Sequence, residues 1–273
     1  MKAASTVTKV CRIISEFADR RSLGVTDLAK RTELLPSDVH RILSSLRASG
    51  YIVQDTQTKK YQLGLPLMRL GLAACQRNHL YEKAHPVLVR LSEQIESTTH
   101  FGIFDGRDLQ VYLIDDVSAL TEDQFRTQLG RPARLHSTAL GKAILAHLDL
   151  RTASLALEKS GMVRSTGRTI TELAVLQKQL QTIRNQGFAV DSDECLEGAS
   201  CLGCPVRDPE GELVGAISTS MTTEQFLTWD EHQLAGHLKT AALRITRSLS
   251  LFPPASPFHA ADPAASQSSA GLL

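Results

Sequence analysis

Residues 26–50, TDLAKRTELLPSDVHRILSSLRASG, decide how this chain is read. They spell two short helices joined by a tight turn. Thr26 is placed to cap the first, its hydroxyl accepting an orphan N–H of the opening turn, and Asp27 favours the positive helix end. Leu28 and Ala29 supply the buried side of that helix. The turn lies at residues 33–35, and Pro36 opens the second helix where a missing N–H is harmless. Val39, Ile42, Leu43 and Leu46 then recur at i, i+3, i+4 and i+7, one helical face. Gly50 tolerates the left-handed backbone that ends such a helix.

The opposite face shows Ser37, Asp38, His40, Arg41 and Ser44. A solvated surface helix would look the same, and the next residues separate the two readings. Residues 51–55, YIVQD, and 60–63, KYQL, are short β-type runs around a polar turn, and together they predict a hairpin. Lys59 and Lys60 stand at its tip, suited to phosphate. Two helices and a hairpin in this order predict a winged helix-turn-helix, with the second helix in the major groove of DNA. The candidate DNA contacts are Thr26, Ser37, Asp38, His40, Arg41 and Ser44, with Lys59 and Lys60 in the wing.

Upstream, Val7, Val10, Ile13, Ile14 and Phe17 share a helix face and predict the first helix of that module. Residues 23–25 read as a short strand completing its sheet. The 273-residue chain is close to neutral, but its charge is uneven. Residues 1–63 hold eleven Lys and Arg against six Asp and Glu, whereas the remainder has an acidic excess. A basic module on a mildly acidic one is expected when only the first touches DNA. No apolar run of membrane-spanning length and no leader-like N-terminus is present, so the expected location is the cytoplasm, with no membrane partner.

After the wing, residues 65–74, LPLMRLGLAA, begin a helix with Pro at its front, too rich in Leu and Met for a solvated connector. It must bury that side on the reader, on the second domain or on another copy, and the last is favoured, at least in part, because helix-turn-helix readers pair on two-fold sites. A second helix covers about residues 80–95. Strands are expected at 98–104 and 109–115 around the turn 105–108, then at 188–190, 201–207 and 213–220. Helices are expected at 139–147, 151–159, 171–186 and 230–250; residues 118–131 are polar and irregular. The fold class is α+β, with antiparallel hairpins in one central sheet. The expected domains are the reader at 1–64, a linker helix at 65–79 and an effector-binding domain at 80–252. Residues 253–273 have the composition of a disordered tail.

Three runs in the second half resemble the IclR family of bacterial transcription regulators: LHSTALGKA at 135–143, GFAVDSDE at 187–194 and GASCLGCPV at 198–206. The reader, ending in YQLG at 61–64, is also similar to that family's, and the resemblance covers about residues 7–250. Two departures stand out: Arg134 where Pro is expected before Leu-His, which bears on the pocket rim, and Ser192-Asp193-Glu194 where adjacent acids are commoner. The resemblance implies a GAF-like effector domain, a dimer or tetramer, no cofactor and no enzymatic activity.

It also implies a pocket built from these motifs. A cap by Ser137 or Thr138 would leave the N–H groups near Ala139 and Leu140 at a positive helix end, fitted to a carboxylate. Ser218 and Ser220 alternate on a strand, so both hydroxyls share a face and can grip one ligand. Family similarity adds Asp191 and Cys201. The effector is expected to be a small organic or aromatic acid, and the reader's partner double-stranded operator DNA.

Five cysteines, an odd number, argue against a disulfide framework. Cys201 and Cys204 form a CxxC, but no second pair or close His pair accompanies it, and residues three apart on a strand face opposite ways. No metal is expected. The alternative function is a GAF-fold thiol redox sensor or enzyme using Cys201 and Cys204, with His136 as the base beside Cys201.

Overall fold

The computed structural model describes residues 5–18, 20–118 and 129–249, which divide into two compact units, split after Asn78. In the first, helix α1 (Thr6–Ser15), α2 (Val25–Thr32) and α3 (Pro36–Ala48) surround Ile13, Phe17, Leu28, Val39, Ile42 and Leu43. Strands β1 (Ile52–Gln54) and β2 (Tyr61–Leu63) pair antiparallel as the wing. Glu33, between the two helices, has φ +54°, and Gly50 after α3 has φ +73°. Asp55 accepts the N–H groups of Gln57 and Thr58, which folds the wing tip. Helix α4 (Leu65–Arg77) closes the unit and leaves Leu65, Met68, Leu70 and Leu72 exposed.

The second unit is a six-stranded antiparallel sheet with helices on both faces. Its strands are β3 (Thr98–Asp105), β4 (Gln110–Ser118), β5 (Pro132–Ala133), β6 (Ala189–Ser192), β7 (Ala199–Arg207) and β8 (Leu213–Thr222). They lie in the order β5-β4-β3-β8-β7-β6. Helices α5 (His79–Ile95) and α10 (Glu231–Leu249) cover one face through Leu88, Leu91, Leu234 and Leu238. The other face carries α6 (Ala139–Leu145), with α7 (Leu150–Ser160) and α8 (Leu173–Gln186) packed beyond it through Ile144, Leu157 and Leu176. A four-residue helix, α9 (Thr223–Phe226), follows β8 with a capping box on Thr222 and Gln225.

Strand alternation keeps the two faces chemically distinct. Phe101, Ile217, Met221, Leu202 and Cys204 point into the α5/α10 core. His100, Gly102, Ser218, Ser220, Cys201 and Gly203, each one residue away from a core position, point to the other face. Buried hydroxyls secure the register between β3 and β8. Ser97 Oγ lies 2.6 Å from Thr219 Oγ1 and donates to the Ser220 carbonyl at 2.7 Å, and Thr219 Oγ1 reaches the Thr98 carbonyl at 3.1 Å. Each group left unpaired at this depth would cost on the order of 1–3 kcal/mol, so the register is strongly preferred.

Helix α6 rests on the sheet closer than side chains permit. A Cβ on Gly203 would stand 2.7 Å from the Ala139 carbonyl carbon, and one on Gly102 would stand 2.6 Å from the Leu140 side chain. A Cβ on Gly141 would meet the Arg134 carbonyl oxygen at 2.4 Å. Gly203 and Gly141 thus let backbone pack on backbone, and Gly102 makes room for the Leu140 side chain. All seven residues of α6 are buried.

Several expectations need correction. Thr26 is no cap: α2 begins at Val25 with Gly24 at the N-cap and no side-chain cap bond. The cause is Leu23, whose backbone exchanges hydrogen bonds with Tyr61 at 3.0 and 2.8 Å and turns the chain two residues early. That bridge is also all that exists of the strand expected at 23–25. Val7 is 71% exposed, because the first turn of α1 overshoots the core. The tail expected at 253–273 and most of 118–131 lie outside the described residues.

Because the Gly203 contact is with backbone, which cannot swing aside, Gly203→Ala should destabilise the protein by about 1–3 kcal/mol. Urea denaturation measures this; an unchanged midpoint would show that α6 does not depend on the close seat.

Candidate functional site

In the reader, Ser37, His40 and Arg41 are exposed along α3, Ser44 is half-buried, and Lys59 and Lys60 are exposed on the wing. Thr26 is exposed in the first turn of α2. Asp38 is engaged within the unit. Lys9 of α1 donates to it at 2.7 Å and Arg41 contacts it at 3.4 Å. The Lys9 bond, then the Arg41 bond, holds its carboxyl below the usual range. These bonds tie α3 to α1 and hold Arg41 beside Asp38. Arg47 of α3 donates to Gln54 of the wing at 2.8 Å, which joins these two elements.

In the second unit, the six positions expected to hold an effector line one cavity of about 250 Å³. Ala139 and Leu140 stand at its α6 end. Thr138 caps this helix, accepting the Gly141 N–H at 2.9 Å and donating to the Arg134 carbonyl at 2.6 Å. The N–H groups of Ala139 and Leu140, the first two of the helix, have no acceptor within it. The Leu140 side chain packs on Gly102 and into the core. Leu113, Ala133, Leu196 and Ala199 supply apolar wall.

The cavity floor is a polar strip across four strands. Register pairs Asp191 with Cys201, Cys201 with Ser220, and His100 with both Ser218 and Asp116. Ser220 Oγ lies 3.0 Å from Cys201 Sγ and 3.1 Å from His100 Nε2. His100 Nδ1 lies 3.9 Å from the Asp116 carboxylate. His100 and Cys195 are lining residues that sequence reasoning missed. The signal for His100 was available, for it sits two residues from Thr98 on the face that β8 fills with serines.

Asp191 is 1% exposed. Its Oδ1 accepts the N–H groups of Glu194 at 2.8 Å and Cys195 at 3.3 Å, so it shapes the turn that forms one wall. Burial pushes its carboxyl up to about 7, against the pull of those bonds and of Lys142. Lys142 of α6, fully buried, donates to the Val190 carbonyl at 2.6 Å and to the Glu194 carboxylate. One short helix therefore anchors the amide end of the cavity and the turn across from it.

Thiol chemistry finds no footing in this geometry. Cys201 faces the cavity, whereas Cys204 is in the α5/α10 core with its thiol pushed up to about 12 by burial. Burial drives the Cys201 thiol far above its ordinary value, with Asp191 adding to the shift, so a thiolate is disfavoured. His136 is engaged by the Val163 carbonyl at 3.1 Å, and burial lowers its imidazole. The expected alternative, a redox sensor or thiol enzyme, is withdrawn.

The sequence profile described as the IclR helix-turn-helix domain matches residues 6–56, and that of the bacterial transcriptional regulator IclR C-terminal domain matches residues 72–247. The chain belongs to the IclR family. It is an IclR-family transcriptional regulator with a helix-turn-helix DNA-binding domain and a C-terminal effector-binding domain. It is 33% identical over 247 residues to the HTH-type transcriptional regulator KdgR of Escherichia coli (strain K12), spanning 90% of this chain and 93% of that one. Among solved structures, the Thermotoga maritima IclR aligns at 27% identity and TM-score 0.66, over 89% of this chain and 98% of that one. An IclR homolog complexed with 4-hydroxybenzoate from Microbacterium hydrocarbonoxydans shares the fold, at 21% identity and TM-score 0.76, over 91% of this chain and 100% of that one. No described helix is long and apolar enough to cross a membrane.

The Asp191 shift has a definite sign. Between about pH 4 and about pH 7 the folded protein keeps a proton that the unfolded chain has released, so this group's contribution falls as pH rises. Asp191→Asn should therefore stabilise the protein at about pH 8, on the order of 1–3 kcal/mol, and lose that advantage near pH 4. Urea midpoints of both proteins across this range test it; a constant difference would mean that Asp191 is ionised throughout.

Proposed function

We propose that this IclR-family regulator binds a near-palindromic operator as a dimer or higher assembly, and releases or engages it in response to a small organic or aromatic acid held in the 250 Å³ cavity. The observation that carries the reading is convergence. The start of α6, Asp191, Cys201, Ser218 and Ser220 come from four separate segments and line one space. Acidic ligands suit the unpaired N–H groups and the hydroxyls, and the apolar wall suits a short carbon skeleton or a ring. The acid crystallised with the Microbacterium homolog makes 4-hydroxybenzoate a natural first probe. Control follows from unequal ligand affinity for two states of the regulator, typically about 1–3 kcal/mol of coupling. No catalytic role is assigned to the cavity, and the protein acts in the cytoplasm.

Self-association is supported by α4. Its Leu65, Met68, Leu70 and Leu72 are all more than half exposed, an unusual density for a helix facing water. We assign residues 1–64 to the reader, 65–79 to the linker helix and 80–252 to effector binding.

Ser218→Ala combined with Ser220→Ala should abolish the effector response and leave ligand-free operator binding intact. Operator affinity with and without 4-hydroxybenzoate and other small acids provides the readout. A double variant that responds as wild type does would place the effector elsewhere.

On the DNA side, Arg41→Ala should reduce specific binding by about 1–3 kcal/mol if it reads a guanine. Loss of Lys59 or Lys60 should instead weaken specific and random DNA alike and flatten the salt dependence. Equal loss on both DNAs for Arg41→Ala would reassign it to the phosphate backbone.

A further inference from the structure

Among the described residues lining the cavity, His100 is the one side chain able to carry positive charge. It stands between two carboxylates, Asp116 behind it on β4 and Asp191 across the floor on β6. Cys201 of β7 adds a thiol that burial keeps protonated. Helix α6 brings no free charge, because Lys142 is buried against Glu194. An acid entering a cavity that Asp191 lines gains from a compensating cation, and the described lining offers one candidate.

The hydrogen-bond inventory of Ser220 shows how that charge would act. Its oxygen has two lone pairs and one proton. The Cys201 thiol, being protonated, can donate to one lone pair at 3.0 Å. With Asp116 3.9 Å from Nδ1, a neutral His100 favours the tautomer with its proton on Nδ1. Nε2 is then an acceptor 3.1 Å from Ser220, and it takes the serine proton away from any ligand. Once protonated, Nε2 donates to Ser220 instead. The serine hydroxyl is released to donate into the cavity, beside a cation.

We propose that His100 is a positioning residue for effector charge: as an imidazolium backed by Asp116, it turns Ser220 into a donor toward a carboxylate and so selects acids over their neutral analogues. This rests on the reading of the cavity as the effector site and deepens it, since it identifies what makes the site choose an anion. The selection is coupled to a proton. Acid affinity falls as pH rises through the titration of His100, and Asp191 pushes in the same direction as it ionises.

The test uses two pairs of probes, benzoate with benzamide and lactate with lactamide, measured by calorimetry on the full chain. The acid-to-amide affinity ratio should fall by about tenfold between about pH 5.5 and about pH 8.5, as a charge-assisted bond is lost. The profile is repeated in Asp191→Asn, where the remaining slope belongs to His100. His100→Gln keeps a neutral polar group, and its ratio should be low and flat with pH. Asp116→Asn should lower the ratio near neutrality with His100 in place, which covers the case of a His100 variant that does not fold. A His100→Gln protein with the wild-type ratio and slope overturns the inference while leaving the cavity reading intact. Failure of both acids to bind wild type at any pH removes the cavity reading, and the inference with it.

Discussion

The close seat of α6 on the sheet is the constraint on which the second unit depends. Gly203 lets the helix backbone come down onto β7, Gly102 admits the Leu140 side chain against β3, and Gly141 lets the helix turn directly beneath the Arg134 carbonyl. With side chains there, the helix would stand off by the width of a methyl group. The first N–H groups of α6 would then rise above the floor that carries Cys201, Ser218 and Ser220. Lys142, one turn further, extends the same anchor to the Val190 carbonyl and to Glu194. Placement of one seven-residue helix therefore sets two sides of the cavity together.

The electrostatics of the cavity follow from this packing. Burial raises the Asp191 carboxyl toward neutrality, and Lys142, bonded to Glu194, offsets that push only in part. Asp115 of β4 is also raised by burial, and the hydrogen bond it accepts from His85 at 2.9 Å opposes that push. The reader obeys a different rule. Its charges are near solvent, and Lys9, Asp38 and Arg41 form a surface set whose value is orientation more than energy.

Much of this was legible in the sequence because it is periodic. Val39, Ile42 and Leu43 announce α3 by their spacing, and Ser218 and Ser220 announce a polar strand face by theirs. What escaped was decided by partners distant in the chain. Thr26 has the chemistry of a cap, yet Tyr61 captures Leu23 and moves the helix start. Asp38 gives no local sign of Lys9, twenty-nine residues earlier, which donates to it. His100 is unremarkable in the run TTHFG and acquires meaning only when Ser220 and Asp116 flank it. Lys142 gave no sign of full burial, since nothing local reveals that Glu194 waits across the fold.

The alternation of β8 has an evolutionary consequence. Ile217, Thr219 and Met221 hold the α5/α10 core and the register, while Ser218 and Ser220 meet the cavity alone. Two residue sets on one strand answer to separate selective pressures. Exchange of the serines, or of Cys201 on the neighbouring strand, would alter the cavity lining without touching the α5/α10 core. A family built on such a strand can diversify its chemical vocabulary faster than its architecture.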